Sequence, residues 1–125
     1  MKYKGRQLDS TILFVEDQAD IRSVLSTFLE MLGYKVIQVT NGAEGLEAFK
    51  KTPSDLVITD INMPVMNGNE FIAALAALPQ PPPVIALSGD SWEVISNPII
   101  KSVISKPISI HTLKQVVKDL LPNSQ

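Results

Sequence analysis

Leu56-Val57-Ile58-Thr59-Asp60-Ile61-Asn62-Met63-Pro64 decides how this chain is read. A short apolar run ends on a carboxylate and then breaks into a turn, the pattern of a buried strand followed by a loop. In an open α/β sheet the loops beyond the strand C-ends are where ligands bind, and Asp60 stands at such an end. Three more runs end on chemistry in the same way: Ile12-Leu13-Phe14-Val15 on Glu16-Asp17, Val84-Ile85-Ala86-Leu87 on Ser88, and Val103-Ile104-Ser105 on Lys106-Pro107. Three acids, a hydroxyl and a lysine are thus expected to converge from four strand ends.

Between these runs the chain reads as helix. Ile21, Val24, Leu25, Phe28, Leu29 and Leu32 form one amphipathic stripe, and Gly33 ends it. Val36 to Val39 is a strand nearer the sheet edge, since Gln38 interrupts its apolarity. Asn41 is a candidate N-cap for a helix whose buried side is Ala43, Leu46 and Phe49. Phe71, Ile72, Leu75 and Leu78 give a third stripe. Pro79-Gln80-Pro81-Pro82-Pro83 cannot lie inside a helix and reads as a stiff connector. A short helix is expected from Ser91, stopped by Pro98, then a strand over 102–105. Ser109 caps a last helix carrying Leu113, Val116, Val117, Leu120 and Leu121. Strand and helix alternate throughout, which predicts a doubly wound α/β fold: a parallel sheet with helices on both faces.

The composition agrees. With 125 residues, 45% hydrophobic and 19% charged, the chain fits one globular domain. Residues 1–9 are expected to be a leader or linker, 10–122 the domain and 123–125 a tail. A net charge of −2 and the lack of a basic patch argue against a nucleic-acid surface. The absence of cysteine excludes a disulfide framework, thiolate metal ligands and a cysteine nucleophile, and suits the cytoplasm. No apolar run approaches the roughly 18 residues of a membrane span. No Gly-x-x-x-x-Gly-Lys loop is present, which excludes a nucleotide P-loop.

The strand ends supply a specific chemistry. Carboxylates within about 4 Å of one another repel by roughly 4 kcal/mol per pair at an effective dielectric of 20, so either a pKa rises or a cation enters. Glu16, Asp17 and Asp60 suit a hard divalent ion such as Mg²⁺. Lys106 offers a fixed positive charge and Ser88 a donor to a phosphate-like group, while Gly89 leaves room for it. An aspartate can itself attack phosphorus and become an aspartyl phosphate. Taken one at a time, the acids and Ser88 read as helix caps and Lys106 as a surface lysine; taken together they read as a site. His111 reads as a surface residue, and Met63 and Met66 as packing. Trp92 is either an exposed contact residue or a lid on the loop after Ser88.

At these residues the chain resembles the receiver domain of two-component response regulators. The matching pieces are Ile12 to Asp17, Asp60-Ile61-Asn62-Met63-Pro64-Val65-Met66-Asn67-Gly68, Leu87-Ser88-Gly89 and Ser105-Lys106-Pro107, spread over about Ser10 to Leu121. The resemblance implies a flavodoxin-like (βα)5 fold, its five-stranded sheet in the order 2-1-3-4-5 and carrying five helices. It implies Asp60 as phosphoacceptor, Mg²⁺ held by Asp17, Asp60, the Asn62 backbone carbonyl and, through water, Glu16. Ser88 is then the switch hydroxyl, Lys106 the lysine that bonds the phosphoryl group, and the Lys106-Pro107 peptide cis. The side chains of Asn62 and Asp90 fall at positions that tune phosphate lifetime. The implied partner is a sensor histidine kinase or histidine phosphotransfer protein, with a homodimer also allowed and the downstream target unnamed. Such a domain is not a turnover enzyme; it catalyses only its own phosphorylation and dephosphorylation.

One region departs from the family pattern. The aromatic usually found three positions before the lysine is replaced by Val103, and the interval from Ser88 to Lys106 is short and interrupted by Pro98. A short or distorted fourth helix follows, and a signal that does not pass through a serine–aromatic rotation. The alternative function is a receiver-like interaction module that is not phosphorylated. A hydrolase using Asp60 would want a second acid two residues on, where Asn62 stands.

Overall fold

Five short strands pair in parallel in the order β2-β1-β3-β4-β5, as expected. The computed structural model describes residues 10–121, so the expected leader and tail lie outside the described residues. In chain order the elements are β1 (Thr11–Val15), α1 (Ala19–Met31), β2 (Lys35–Val39), α2 (Gly42–Lys51), β3 (Leu56–Asp60), α3 (Gly68–Ala76), β4 (Val84–Ser88), β5 (Ile100–Ser105) and α4 (Ile110–Leu120). Every residue of β3 and β4 is buried, as is β1 beyond Thr11. Strands covered on both faces need apolar side chains on both, which is why these runs are apolar until Thr59, Asp60 and Ser88 at their C-ends. β2 and β5 are the edges and are only partly buried.

Alternate strand residues feed two cores. Ile12, Phe14, Ile58, Ile85 and Leu87 pack with Leu25 and Leu29 of α1 and with Leu113 and Val117 of α4. On the other face Leu13, Val15, Val57, Val84 and Ala86 pack with Phe49 of α2 and with Phe71, Ile72 and Leu75 of α3. The local signals hold at the helix ends. Asn41 and Ser109 accept from Glu44 N and Thr112 N. Gly33 has φ 103°, and the amides of Gly33 and Tyr34 bond back to the carbonyls of Glu30 and Leu29, closing α1 in a Schellman motif.

Four expectations need correction. The helix expected from Ser91 is a single 3-10 turn, Ser91–Glu93, so four α-helices flank the sheet among the described residues. The stretch has no apolar stripe to hold a helix down: Trp92 and Ile95 face solvent, and only Val94 and Ile99 reach the core. β5 starts at Ile100, with a register irregularity opposite Val84 and Ile85 that passes over Lys101. Val24 lies in the α1 stripe yet is 59% exposed, because it lines an open groove beside Pro107, Ile108 and Ile110. Ala43 is exposed and the buried side of α2 is Gly42, Gly45 and Phe49. α2 lies so close to α3 that a Cβ on Gly45 would come within 2.9 Å of the Phe71 ring.

Candidate functional site

Parallel pairing brings the C-ends of β1, β3, β4 and β5 to one edge of the sheet, and the predicted residues meet there. Asp60 ends β3 and is 3% exposed. Its Oδ1 accepts from Ile61 N at 2.8 Å, and its Oδ2 pairs with Lys106 Nζ at 2.9 Å. Lys106 is placed by its own main chain, whose amide donates to Ser88 O at 2.9 Å. Its side chain then crosses the end of β4 to reach Asp60. The Lys106–Pro107 peptide is cis, as the resemblance implied.

Glu16 follows β1 and is fully buried. Gln18 N donates to Oε2 at 3.1 Å, while Oε1 has no hydrogen-bond partner among the described residues. Loss of hydration is the largest influence on this carboxyl, and the charge of Asp60 adds to it. Together they push its pKa up from 4.5 to about 7, against the opposing pull of the Gln18 amide and Lys106. Asp17 is exposed. α1 is entered through Gln18 with no side-chain cap, so Asp17 is not engaged as one. Arg22 steadies the turn by donating to Glu16 O at 2.8 Å.

Carboxylate oxygens of Glu16, Asp17 and Asp60 lie within 4.8 Å of one another, a cluster able to hold a metal ion. A buried carboxylate oxygen with no donor is what a cation would satisfy, and an all-oxygen donor set fits a hard divalent ion. The residues present therefore fit the metal that the resemblance implied.

Ser88 ends β4 and is buried. Its Oγ donates to Asp90 O at 2.5 Å, accepts from Asp90 N at 3.1 Å, and lies 3.1 Å from Glu93 Oε2. The hydroxyl is thus folded into its own turn and does not point freely at Asp60. Asn62 and Asp90 are exposed beside the site. Asn62 Nδ2 donates to Glu93 Oε1 in a short contact. Val103 pairs with Ala86 on the β5 edge and is 40% exposed, with no ring to turn inward.

Sequence reasoning missed Glu93 and Asn69. Glu93 is the carboxylate that Ser88, Asn62 and the Asp90 amide all share. The signal was available: Asp90-Ser91-Trp92-Glu93 has the spacing of a capping box. Asn69 on α3 grips the same segment, Nδ2 donating to Glu93 O at 2.8 Å and Oδ1 accepting from Ile95 N at 2.9 Å. His111 is exposed, Met63 buried and Met66 half-buried, as read. Trp92 is 82% exposed and does not close over the site as a lid.

Known proteins share this fold. The family model described as the response regulator receiver domain matches residues 12–118. The chemotaxis response regulator CheY4 of Vibrio cholerae superposes with a TM-score of 0.81 at 28% identity, covering 90% of this chain and 98% of that one. The receiver domain of the hybrid histidine kinase CckA does so with a TM-score of 0.76 at 32% identity, covering 90% of this chain and 99% of that one. The autoinducer 1 sensor kinase/phosphatase LuxN of Vibrio campbellii is 32% identical over 114 residues, 89% of this chain. The chain spans only 13% of that relative's length. With the sheet order, the converging strand ends and the match along nearly all of its length, the chain belongs to the response regulator receiver domain family of two-component systems.

Proposed function

We propose that this domain accepts a phosphoryl group from a phosphohistidine onto Asp60 and uses the change to switch a partner interaction. The observation that carries this reading is the ion pair of a nearly buried carboxylate with Lys106, beside two further acids on one sheet edge. A carboxylate oxygen of Asp60 attacks phosphorus, the phosphorus–nitrogen bond breaks, and the donor imidazole departs with its electron pair and takes up a proton. Lys106 and the Ser88 hydroxyl bond the transferred oxygens, which asks for positioning and charge neutralisation and little more. Mg²⁺, held by Asp17, Asp60, the Asn62 carbonyl and, through water, Glu16, would neutralise charge on the phosphoryl oxygens. Asn62 and Asp90 flank the phosphoryl position and set how readily water reaches it.

The donor is a sensor histidine kinase or a histidine phosphotransfer protein, which places the domain in the cytoplasm. An apolar groove of about 400 Å³ beside Lys106 supports such docking; Ile21, Val24, Leu25, Pro107, Ile108 and Ile110 line it. The domain is a regulatory phosphoacceptor that catalyses only its own phosphorylation and dephosphorylation.

The test is intact mass after incubation with acetyl phosphate and Mg²⁺, comparing the native chain with Asp60→Asn. One Mg²⁺-dependent phosphate adduct, absent from the variant, is expected. If no adduct forms, the reading gives way to an interaction module that is not phosphorylated, which the 3-10 turn in place of a fourth helix would then favour.

A further inference from the structure

Glu93 holds a place that the phosphoacceptor chemistry does not account for. Its carboxylate takes a hydrogen bond from Asn62 Nδ2 beyond β3, lies 3.1 Å from Ser88 Oγ at the end of β4, and accepts from Asp90 N at 3.0 Å. A capping box explains the Asp90 contact alone. The other two tie this side chain to the ends of the two strands that carry Asp60 and Ser88. An anion therefore already sits among the donors at the strand ends.

Ser88 has one proton to give, and Asp90 O and Glu93 Oε2 both lie within its reach. A phosphoryl group on Asp60 would draw on that same proton and would add nearly two negative charges beside Glu93. The far side of the segment is anchored independently by Asn69 through Glu93 O and Ile95 N. Losing the carboxylate contacts would therefore free the turn without detaching the chain. Trp92, the only tryptophan in the sequence, lies in this turn and is 82% exposed. Val103 offers no ring for the alternative route through β5.

We infer that Glu93 is a resident anion which phosphorylation of Asp60 displaces, so that the Ser91–Glu93 turn carries the phosphorylation state to the surface. The inference rests on the phosphoacceptor reading. Its test follows adduct formation by intact mass and Trp92 emission together, on the full chain with acetyl phosphate and Mg²⁺. Glu93→Gln and Glu93→Ala are compared with the native chain, Asp60→Asn serves as blank, and melting curves verify that each variant folds.

Trp92 emission in the native chain is expected to change in step with the adduct. Both Glu93 variants should form the adduct roughly fivefold to tenfold faster, with most of the emission change gone. An adduct seen only in the variants would overturn the inference, since the native turn would then have no phosphorylation state to carry. Equal rates in all three forms, with a native emission that does not follow the adduct, would overturn it and leave the phosphoacceptor intact. No adduct in any form would overturn both.

Discussion

Gly68 is the residue at which this site tolerates least. A Cβ there would stand 2.3 Å from Asp60 O and 2.7 Å from Ile61 Cα, and both are backbone atoms that cannot swing away. The close approach lets Gly68 N donate to Ile61 O at 2.8 Å and fixes the chain that follows Asp60. Gly68→Ala is expected to lower stability by roughly 2 kcal/mol or more, read from urea denaturation. Gly89→Ala is the control. Its Cβ would meet only the tip of Glu93, at 3.9 Å, and stability should stay nearly unchanged. Strain is also present at Val65, a β-branched residue with φ 70° in the same loop.

Short elements depend on their ends. α3 runs for only 9 residues, yet it delivers Phe71, Ile72 and Leu75 to the core and Asn69 to the turn after β4. Its entry is a complete capping box: Glu70 N donates to Asn67 Oδ1 at 2.9 Å and Asn67 N donates to Glu70 Oε1 at 3.0 Å. Asn67→Ala removes one half of that exchange and should cost about 1 kcal/mol, measured as a fall in the urea midpoint with an unchanged slope. The connection from β4 to β5 has no such entry to a helix. It packs through Val94 and Ile99 and is otherwise held by polar bonds from Asn69 and Glu93. Elements with few buried apolar contacts are the ones that move at low energetic cost, and this one lies next to Asp60.

Stability of the whole domain is tied to pH through Glu16. Unfolded, this carboxyl titrates near 4.5; folded, it does so near 7. Between those values the native state keeps a proton that the unfolded chain has released, so stability falls as pH rises through the window. The penalty is absent below the lower value and fully present above the higher one. In EDTA the domain should therefore resist urea better at about pH 5 than at about pH 8, and Glu16→Gln should flatten the difference. Adding Mg²⁺ near pH 8 should recover stability, since an ion that binds only the folded acids favours that state by mass action.

Much of this molecule is legible one residue at a time. Apolar runs marked β1, β3 and β4 as strands, and the residue types at the ends of these and of β5 marked Glu16, Asp17, Asp60, Ser88 and Lys106 as a group. Asn41, Ser109 and Gly33 announced helix ends because capping depends on a side chain and the few amides or carbonyls next to it. What the sequence by itself determined, then, is whatever local bonding and strand periodicity encode: the elements, their order and the chemistry gathered at one edge. Only the tertiary structure decided the exposure of Val24, the glycine face of α2, the single turn after β4 and the reach of Glu93 to Asn62, 31 residues away in sequence. Each depends on what packs opposite. Periodicity marks the face of an element, but the neighbour that covers that face, and the distance a side chain must span to meet it, exist only once the sheet has formed.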